Sequence, residues 1–194
     1  MPIEAVVINA SPLILLFRAG YGDLLPRLFS RIIVPDAVWT EIAAGGVGDA
    51  AATALPSCSW AQRKPVEPSP RVLDWSLGPG ETAVISHALK HPELRAVLDD
   101  RDARRCARTL GVQTLGTGGT LILAKRRGLI PSVGDGLHRL RGAGLWIGDD
   151  VTQGGTVLAQ THYREHGLSP DLDIAPGAGY LARQACVARE MLEP

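Results

Sequence analysis

Short, β-branched apolar segments alternate along most of the chain with segments in which apolar residues recur at helical spacing. The apolar segments predict strands at 4–8, 31–34, 95–98 and 112–115. The helical spacing and its capping signals predict helices at 11–19, 22–29, 36–44, 81–89, 99–110, 117–127 and 131–140. Because strands and crossover helices alternate, we predict an α/β protein, a three-layer α/β/α sandwich with a mainly parallel central sheet.

Two parts of the chain give weaker patterns. Residues 45–70 are rich in Gly, Ala, Ser and Pro and predict a variable connection with at most one short strand, around Trp60. Beyond 140 we predict an edge strand at 145–147 and a helix at 149–164. The Pro/Gly-containing residues 167–179 then lead to an amphipathic C-terminal helix at 178–192. We therefore predict one domain over 1–166 and an appended linker and helix over 167–194.

Composition narrows the class of protein. With 194 residues, 45% of them hydrophobic, the chain can bury a core of its own. The three cysteines, Cys58, Cys106 and Cys186, are far apart and lack the C-x-x-C spacing of zinc sites and redox motifs, so a reducing cytoplasm is expected. The apolar N-terminal stretch is interrupted by polar residues, and no apolar run is long enough for a membrane span, so we expect neither a signal peptide nor a membrane partner.

The formal net charge is zero, but the charge is unevenly distributed. Between Arg101 and Arg141, nine Lys or Arg stand against two acids, a local +7 that leaves −7 for the rest. This segment is predicted to form three helices, so one basic face that binds a polyanion is possible. The alternative is solvated helix surface, with cations favoured near helix C-termini, as for Lys125 to Arg127.

Polar residues that could take part in catalysis or bind a metal follow the predicted strands or lie on the predicted helices. Asn9 follows the first strand, Asp99 and Asp100 follow a later one, and Glu41 and Glu81 lie on helices. In parallel sheets, ligands bind beyond the carboxyl ends of the strands. Carboxylate and carbonyl oxygens gathered there are suited to Mg²⁺ or Mn²⁺. Asn9 supplies a neutral oxygen where a metal site would gain more from a carboxylate.

Each of these residues also has a purely structural interpretation. Asp99 or Asp100 could cap the following helix, and one can cap while the other binds metal. Glu81 is favoured by the dipole of the first helical turn, and Glu41 could be an exposed helix residue. Asn9 is a natural turn residue, and Ser11, followed by Pro12, is explained as a helix N-cap.

Five segments in this order and spacing resemble the PIN domain family, in its VapC-like prokaryotic branch of mostly uncharacterised, predicted nucleic-acid-binding proteins. The resemblance runs from about Val6 to Val151. Its segments are VINASPLILL at 7–16 together with Val6, IIVPDAVWTEI at 32–42, GPGETAVISHAL at 78–89, VLDDRDARRCARTLG at 97–111 and LGTGGTLILAKRRGLIPSV at 115–133.

The resemblance implies a Mg²⁺- or Mn²⁺-dependent endoribonuclease, often the toxin of a toxin–antitoxin pair and working as a homodimer. The family's successive acidic positions fall on Asn9, Glu41, Glu81 and Asp99, with Asp100 adjacent. We expect Glu41, Glu81 and Asp99 to bind the metal and Asn9 and Asp100 to complete the catalytic pocket. The residues expected to contact RNA are Ser11, Arg101, Arg104, Thr117 and Lys125. The alternative is a catalytically impaired RNA-binding or protein-binding module, because Asn9 replaces the first acid.

Overall fold

The computed structural model describes residues 4–46 and 48–145. The described residues belong to two compact units, one that ends at residue 129 and one that begins at residue 130. The first unit is built on a five-stranded parallel sheet. Its strands are Ala5–Ile8 (β1), Arg31–Pro35 (β2), Ala61–Lys64 (β3), Arg95–Val97 (β4) and Thr114–Leu115 (β5).

The strand order β3-β2-β1-β4-β5 places the first strand in the middle of the sheet. From β1 the chain moves outward in one direction to β2 and β3, and then returns to β4 and β5 on the other side. The order therefore reverses between β1 and β4, which pair with Ile8 opposite Val97. A crevice beyond the carboxyl ends of two such strands is where open parallel sheets bind ligands.

Helices fill the connections between these strands. In the described part of this unit they are Ala10–Arg18 (α1), Leu24–Leu28 (α2), Asp36–Ala44 (α3), Ala50–Ala54 (α4), Pro70–Leu73 (α5), Pro79–Lys90 (α6), Arg101–Thr109 (α7) and Thr117–Arg126 (α8). Because parallel crossovers are right-handed, the connections that run in opposite directions put their helices on opposite faces. The predicted three-layer fold with a mainly parallel sheet is confirmed.

The core lies on both faces of the central strands. All four residues of β1 are buried, and Val6, Val7 and Ile8 have no exposed surface. On the helices, Val38 and Ile42 of α3 are buried, as their spacing predicts. Burial of an aliphatic side chain contributes roughly 1.5–3 kcal/mol to the stability of the fold. The buried central strands are therefore firmly held, and they fix the positions from which the chain enters the crevice.

Two local predictions are wrong. Ser11 does not cap α1, because the helix begins at Ala10 with Asn9 at the cap position. Residues 45–70 contain more structure than a variable connection, namely α4 and a 3₁₀ turn at Leu55–Ser57 besides β3. Asp49 starts α4 by accepting hydrogen bonds from the backbone N–H groups of Ala51 (2.9 Å) and Ala52 (3.1 Å), a local signal that the small-residue composition conceals.

In the second unit the structure describes residues 130–145. Ser132 caps a helix at Val133–Gly142 (α9), and its hydroxyl accepts a hydrogen bond from the N–H of Asp135 at 3.2 Å. The predicted strand at 145–147, the helices at 149–164 and 178–192 and the linker between them lie outside the described residues, wholly or in all but their first residue. None of the described helices is long and apolar enough to cross a membrane.

Candidate metal centre

Asn9 stands at the centre of the crevice because it directly follows β1. Its backbone N–H donates to the carbonyl of Val97 at 3.1 Å, which continues the pairing of β1 with β4. The side chain does not cap α1, although the residue occupies the cap position. Instead its Nδ2 donates to Oε1 of Glu81 at 3.0 Å, and the whole residue is only 2% exposed. Asn9 is therefore turned towards α6.

Gly80 is the point at which α3 and α6 approach each other. A Cβ atom added at Gly80 would lie 2.7 Å from Oδ1 of Asn9 and 2.8 Å from Oε2 of Glu41, with Cγ2 of Val38 at 3.5 Å. Real Cβ contacts do not become that short, so only glycine fits here. The same distances show that the oxygens of Asn9 and Glu41 face one small region of space.

These two facing oxygens have no donor between them. Oδ1 of Asn9 is buried and has no hydrogen-bond partner among the described residues. An unpaired buried acceptor is costly, and two acceptors that face each other repel. A proton on Glu41 or a cation between the oxygens would satisfy both. The arrangement therefore has two acceptors that a hard cation would satisfy.

The charge of the cluster points in the same direction. Burial raises the pKa of the Glu41 carboxyl, and the negative charge of Glu81 raises it further. Although its carboxyl is partly buried, Glu41 as a whole is exposed and can be reached from solvent. Glu81 is half-buried and accepts a hydrogen bond from Asn9. The two carboxylates oppose each other in the absence of a positive charge, which a bound cation would supply.

Asp99 lies beyond β4 and is held by the start of α8. Its Oδ1 accepts from the N–H of Thr117 at 2.8 Å and its Oδ2 accepts from the Thr117 hydroxyl at 2.5 Å. Burial nevertheless raises the pKa of Asp99, against the lowering effects of the Thr117 hydrogen bonds and of the Arg104 charge. Both carboxylate oxygens already have donors, so Asp99 has less free ligand capacity than Glu41.

Asp100 has the structural role that its position allowed. Its Oδ1 accepts from the N–H of Ala103 at 2.8 Å and caps α7. The two neighbouring acids therefore divide the roles, since Asp100 caps a helix and Asp99 faces α8. No contact reported for Asp100 joins it to Asn9 or Glu81.

The structure brings together only some of the residues expected to contact RNA. Arg104 is close enough to Asp99 to lower its pKa, and Arg101 is exposed at the start of the same helix. Thr117 is buried against Asp99. Ser11 lies in the first turn of α1, beside the crevice. Lys125 lies in the last turn of α8, at the opposite end of that helix from Thr117, and so away from the crevice.

Oδ1 of Asn9 and Oε2 of Glu41 face the space at Gly80, and Glu81 is joined to them through the hydrogen bond from Asn9. Among residues 4–46 and 48–145, no group of three or more His, Cys, Asp or Glu is placed to hold a metal ion. The hard oxygens, the unpaired Oδ1 and the space kept by Gly80 together fit Mg²⁺ or Mn²⁺.

Gly80 is the functional residue that the sequence patterns did not identify. The sequence does contain a signal for this role. A glycine in the first turn of a helix weakens that helix, and it is often kept there because a neighbouring group packs closely against it. The sequence pattern instead predicts a loop at Gly78, Pro79 and Gly80 that leads into a helix at Glu81. In the structure the helix already begins at Pro79.

Replacing Gly80 by alanine is expected to weaken Mn²⁺ binding by tenfold or more. The new methyl group would occupy the space between the oxygens of Asn9 and Glu41. Oε2 of Glu41 ends an exposed side chain and can move away, whereas Oδ1 of the buried Asn9 cannot. We therefore expect a lower melting temperature, although alanine favours a helix by about 1 kcal/mol over glycine. Calorimetric titration with Mn²⁺ and thermal melting of the same samples measure the two effects.

Gly134→Ala is the matched control for this substitution. Gly134 is the second residue of α9, as Gly80 is of α6, but an added Cβ there would meet only Oγ of Ser132 at an ordinary 3.6 Å. We expect this control to bind Mn²⁺ like the native protein. Unchanged Mn²⁺ affinity in Gly80→Ala would show that the cation site lies elsewhere.

A family model described as a PIN domain matches residues 5–160. Among solved structures, the PIN domain endonuclease Utp24 matches with a TM-score of 0.45 and 14% sequence identity, over 60% of this chain and 86% of that one. No significant match is found among curated proteins.

Proposed function

Because the chain belongs to the PIN domain family, which has a nuclease fold, we propose that it is a metal-dependent endoribonuclease with its centre at Asn9, Glu41 and Glu81. The single observation that carries the proposal is the buried, unpaired Oδ1 of Asn9, which faces the same space as a carboxylate oxygen of Glu41. A hard cation between the two oxygens would satisfy both of them.

The residues divide the work in a simple way. Glu41, Glu81 and Oδ1 of Asn9 would hold Mg²⁺ or Mn²⁺, and the ion would supply Lewis-acid activation of water and stabilisation of charge on the phosphate. The amide N–H of Asn9 fixes one oxygen of Glu81, so the ligand is oriented before the ion arrives. Gly80 keeps the approach between α3 and α6 open. Asp99 is held by Thr117 beyond the neighbouring strand β4.

Positive charge on α7 supports RNA as the substrate. Arg101, Arg104, Arg105 and Arg108 all lie on this helix, whose start is next to Asp99 and Asp100. Phosphate groups are attracted to such a surface, and the attraction weakens as salt concentration rises. Arg104 also counters the negative charge of Asp99, so the acidic centre and the basic surface adjoin each other.

RNA cleavage tests the proposal directly. An end-labelled, unstructured RNA is incubated with the native protein and Mn²⁺, with EDTA, and with the Glu81→Gln variant. Glutamine still accepts the hydrogen bond from Asn9 but lacks the charge that holds the ion. We expect internal cleavage only by the native protein with Mn²⁺. Intact RNA in that sample would reject the nuclease, and equal cleavage by Glu81→Gln would reject this site.

A second candidate is a PIN-like module that binds RNA or a protein without cutting. It is favoured by the observation that Asn9 donates to Glu81 and leaves only two carboxylates together in the cluster. In that case the native protein would leave RNA intact with Mn²⁺, while Asn9→Asp would restore the third carboxylate. Cleavage by the native protein supports the first candidate alone.

Further features of the proposal come from the family resemblance. We propose that the protein acts in the cytoplasm as a homodimer and as the toxin of a toxin–antitoxin pair. If so, expression of the native protein in a bacterial host should arrest growth, and expression of Glu81→Gln should not. Equal growth of both strains would speak against the toxin, and sedimentation of a monomer at micromolar concentration against the dimer.

A further inference from the structure

A tryptophan and an arginine form a cation–π contact between the segment that precedes α6 and helix α7. The guanidinium of Arg105 lies over the indole ring of Trp75, with its carbon 5.9 Å from the ring centroid. Trp75 follows α5 and is half-buried, while Arg105 is exposed on α7. A contact of this type combines cation–π attraction with stacking.

The backbone ties this pair to the cluster of acids. Two residues after Trp75, the carbonyl of Leu77 accepts from the hydroxyl of Thr82 at 3.4 Å, and that of Gly78 accepts from the N–H of Thr82 at 2.9 Å. Thr82 is the neighbour of Glu81 in α6. On the other side, Arg105 follows Arg104, whose charge acts on Asp99. Each member of the pair is thus six residues along the chain from an acid, Trp75 from Glu81 and Arg105 from Asp99.

The chain around Trp75 shows apolar exposure and backbone strain. Leu73 is 55% exposed, and in the described part of the chain it is the only exposed large hydrophobic residue. Ser76 has φ of 52°, a left-handed conformation that is uncommon for residues other than glycine. Such strain is often found where a fold holds a binding side chain in place.

A second tryptophan–arginine pair in the same unit differs from this one because its arginine also forms an ion pair. Arg63 lies 5.5 Å from the centroid of Trp39, but its Nε also forms an ion pair with Oδ1 of Asp36 at 2.6 Å. That arginine is locally neutralised and links α3 to β3. Arg105 forms no ion pair with a described residue, so its positive charge is free to meet an anion.

We propose that Trp75 and Arg105 form a subsite that binds one nucleobase and its phosphate next to the metal centre. The proposal rests on the nuclease function proposed above, for which it names two positioning residues. The indole and guanidinium planes offer stacking surfaces to any unpaired base, and the free charge attracts the adjoining phosphate. Stacking is tolerant of base identity, so the subsite selects unpaired nucleotides rather than a sequence.

Binding without metal separates this subsite from cleavage. Fluorescence anisotropy in EDTA compares a short single-stranded RNA with an oligonucleotide of the same length in which abasic sugars replace the nucleosides. We expect the native protein to bind the RNA roughly tenfold more tightly than the abasic strand, the size of one stacked base. Trp75→Ala should lose this difference, and Trp75→Phe should retain part of it.

Trp60→Leu is the matched control. Trp60 is a half-buried tryptophan stacked on Phe17, and it precedes β3, so it lies at the opposite edge of the sheet. Its replacement should preserve the preference for RNA over the abasic strand. Arg105→Gln should weaken both ligands and reduce the salt dependence of binding, because it removes a phosphate contact.

The outcomes distinguish the subsite from the enzyme. Equal preference for RNA in native protein and Trp75→Ala would overturn the subsite and leave this exposed surface to a protein partner. Failure of the native protein to distinguish RNA from the abasic strand would overturn it as well. If the native protein shows the base-dependent binding but never cleaves with Mn²⁺, the subsite stands and the proposed nuclease activity fails.

Discussion

Replacing Asn9 by aspartate is expected to increase the affinity for Mn²⁺ by tenfold or more and to destabilise the metal-free protein. Aspartate cannot donate to Glu81, so the 3.0 Å hydrogen bond is lost. A third carboxylate would face Glu41 and Glu81 in a position that is 2% exposed. Loss of a buried hydrogen bond to a charged group costs about 1.5–3 kcal/mol, and the added repulsion increases this.

The same repulsion is what improves the cation site. Affinity for hard cations increases with the number of charged ligands. Because the ion binds the folded state, saturating Mn²⁺ should raise the melting temperature of Asn9→Asp by more than it raises that of the native protein. Calorimetry gives the affinity, and melting with Mn²⁺ or with EDTA gives the stability.

Asn9→Ala separates the two consequences of the substitution. Alanine also removes the hydrogen bond to Glu81, but it adds no charge and removes the unpaired Oδ1. We expect it to lose stability and to bind Mn²⁺ less tightly than the native protein. If Asn9→Asp bound Mn²⁺ no better than the native protein, position 9 would not face the cation and the arrangement described here would be wrong.

Replacing Asp99 by asparagine is expected to stabilise the metal-free protein at neutral pH. Asparagine can keep both contacts to Thr117, since its oxygen accepts the N–H and its amide donates to the hydroxyl. It removes a charge that burial disfavours. A gain of about 1 kcal/mol is common for such substitutions, and it corresponds to a rise of ~3 °C in melting temperature for a domain of this size.

The stabilisation should depend on pH in one direction. The pKa of Asp99 is raised in the folded protein, so the folded state binds its proton more tightly than the unfolded state. The native protein has the full benefit of the protonated group below the ordinary pKa of 3.8 and loses it as pH rises through the folded value. Asp99→Asn should therefore match the native protein in acid and exceed it at neutral pH.

Asp100→Asn is the matched control, because asparagine caps a helix about as well as aspartate. Its melting temperature should differ little from that of the native protein at both pH values. A stability gain in Asp99→Asn that did not change between acidic and neutral pH would show that the charge of Asp99 carries no burial cost. Melting curves recorded from acidic to neutral pH supply the comparison.

The fold could be predicted because it depends on repeated local signals. Each central strand is a short β-branched segment, and the helix at Asp36–Ala44 begins and ends at the predicted residues. The strand order follows from those signals only in part, since it depends on which strands pair across the sheet. The prediction for residues 45–70 is wrong because the composition, rich in small residues, indicates a loop. The helix at Ala50–Ala54 depends instead on a single local signal, its Asp49 cap.

The sequence offers candidates for the site but not their contacts. Asp99 follows a strand and Glu81 begins a helix, positions that the edge of a parallel sheet gathers, whereas Glu41 is chosen by the family resemblance. Whether Asp99 or Asp100 caps the helix depends on backbone geometry that neither residue type determines. The hydrogen bond from Asn9 to Glu81 and the role of Gly80 arise from the approach of α3 and α6, which lie far apart in the sequence.

Titration of the native protein and of Glu81→Gln with Mn²⁺ tests the central claim most directly. The variant keeps an acceptor for Asn9 and loses only a charge, so a difference between the two proteins reports on the cation. We predict that the native protein binds one or two ions with a dissociation constant well below about 1 mM and that the variant binds at least tenfold more weakly. Equal binding by both proteins, or none by the native protein, would contradict a metal centre at Asn9, Glu41 and Glu81.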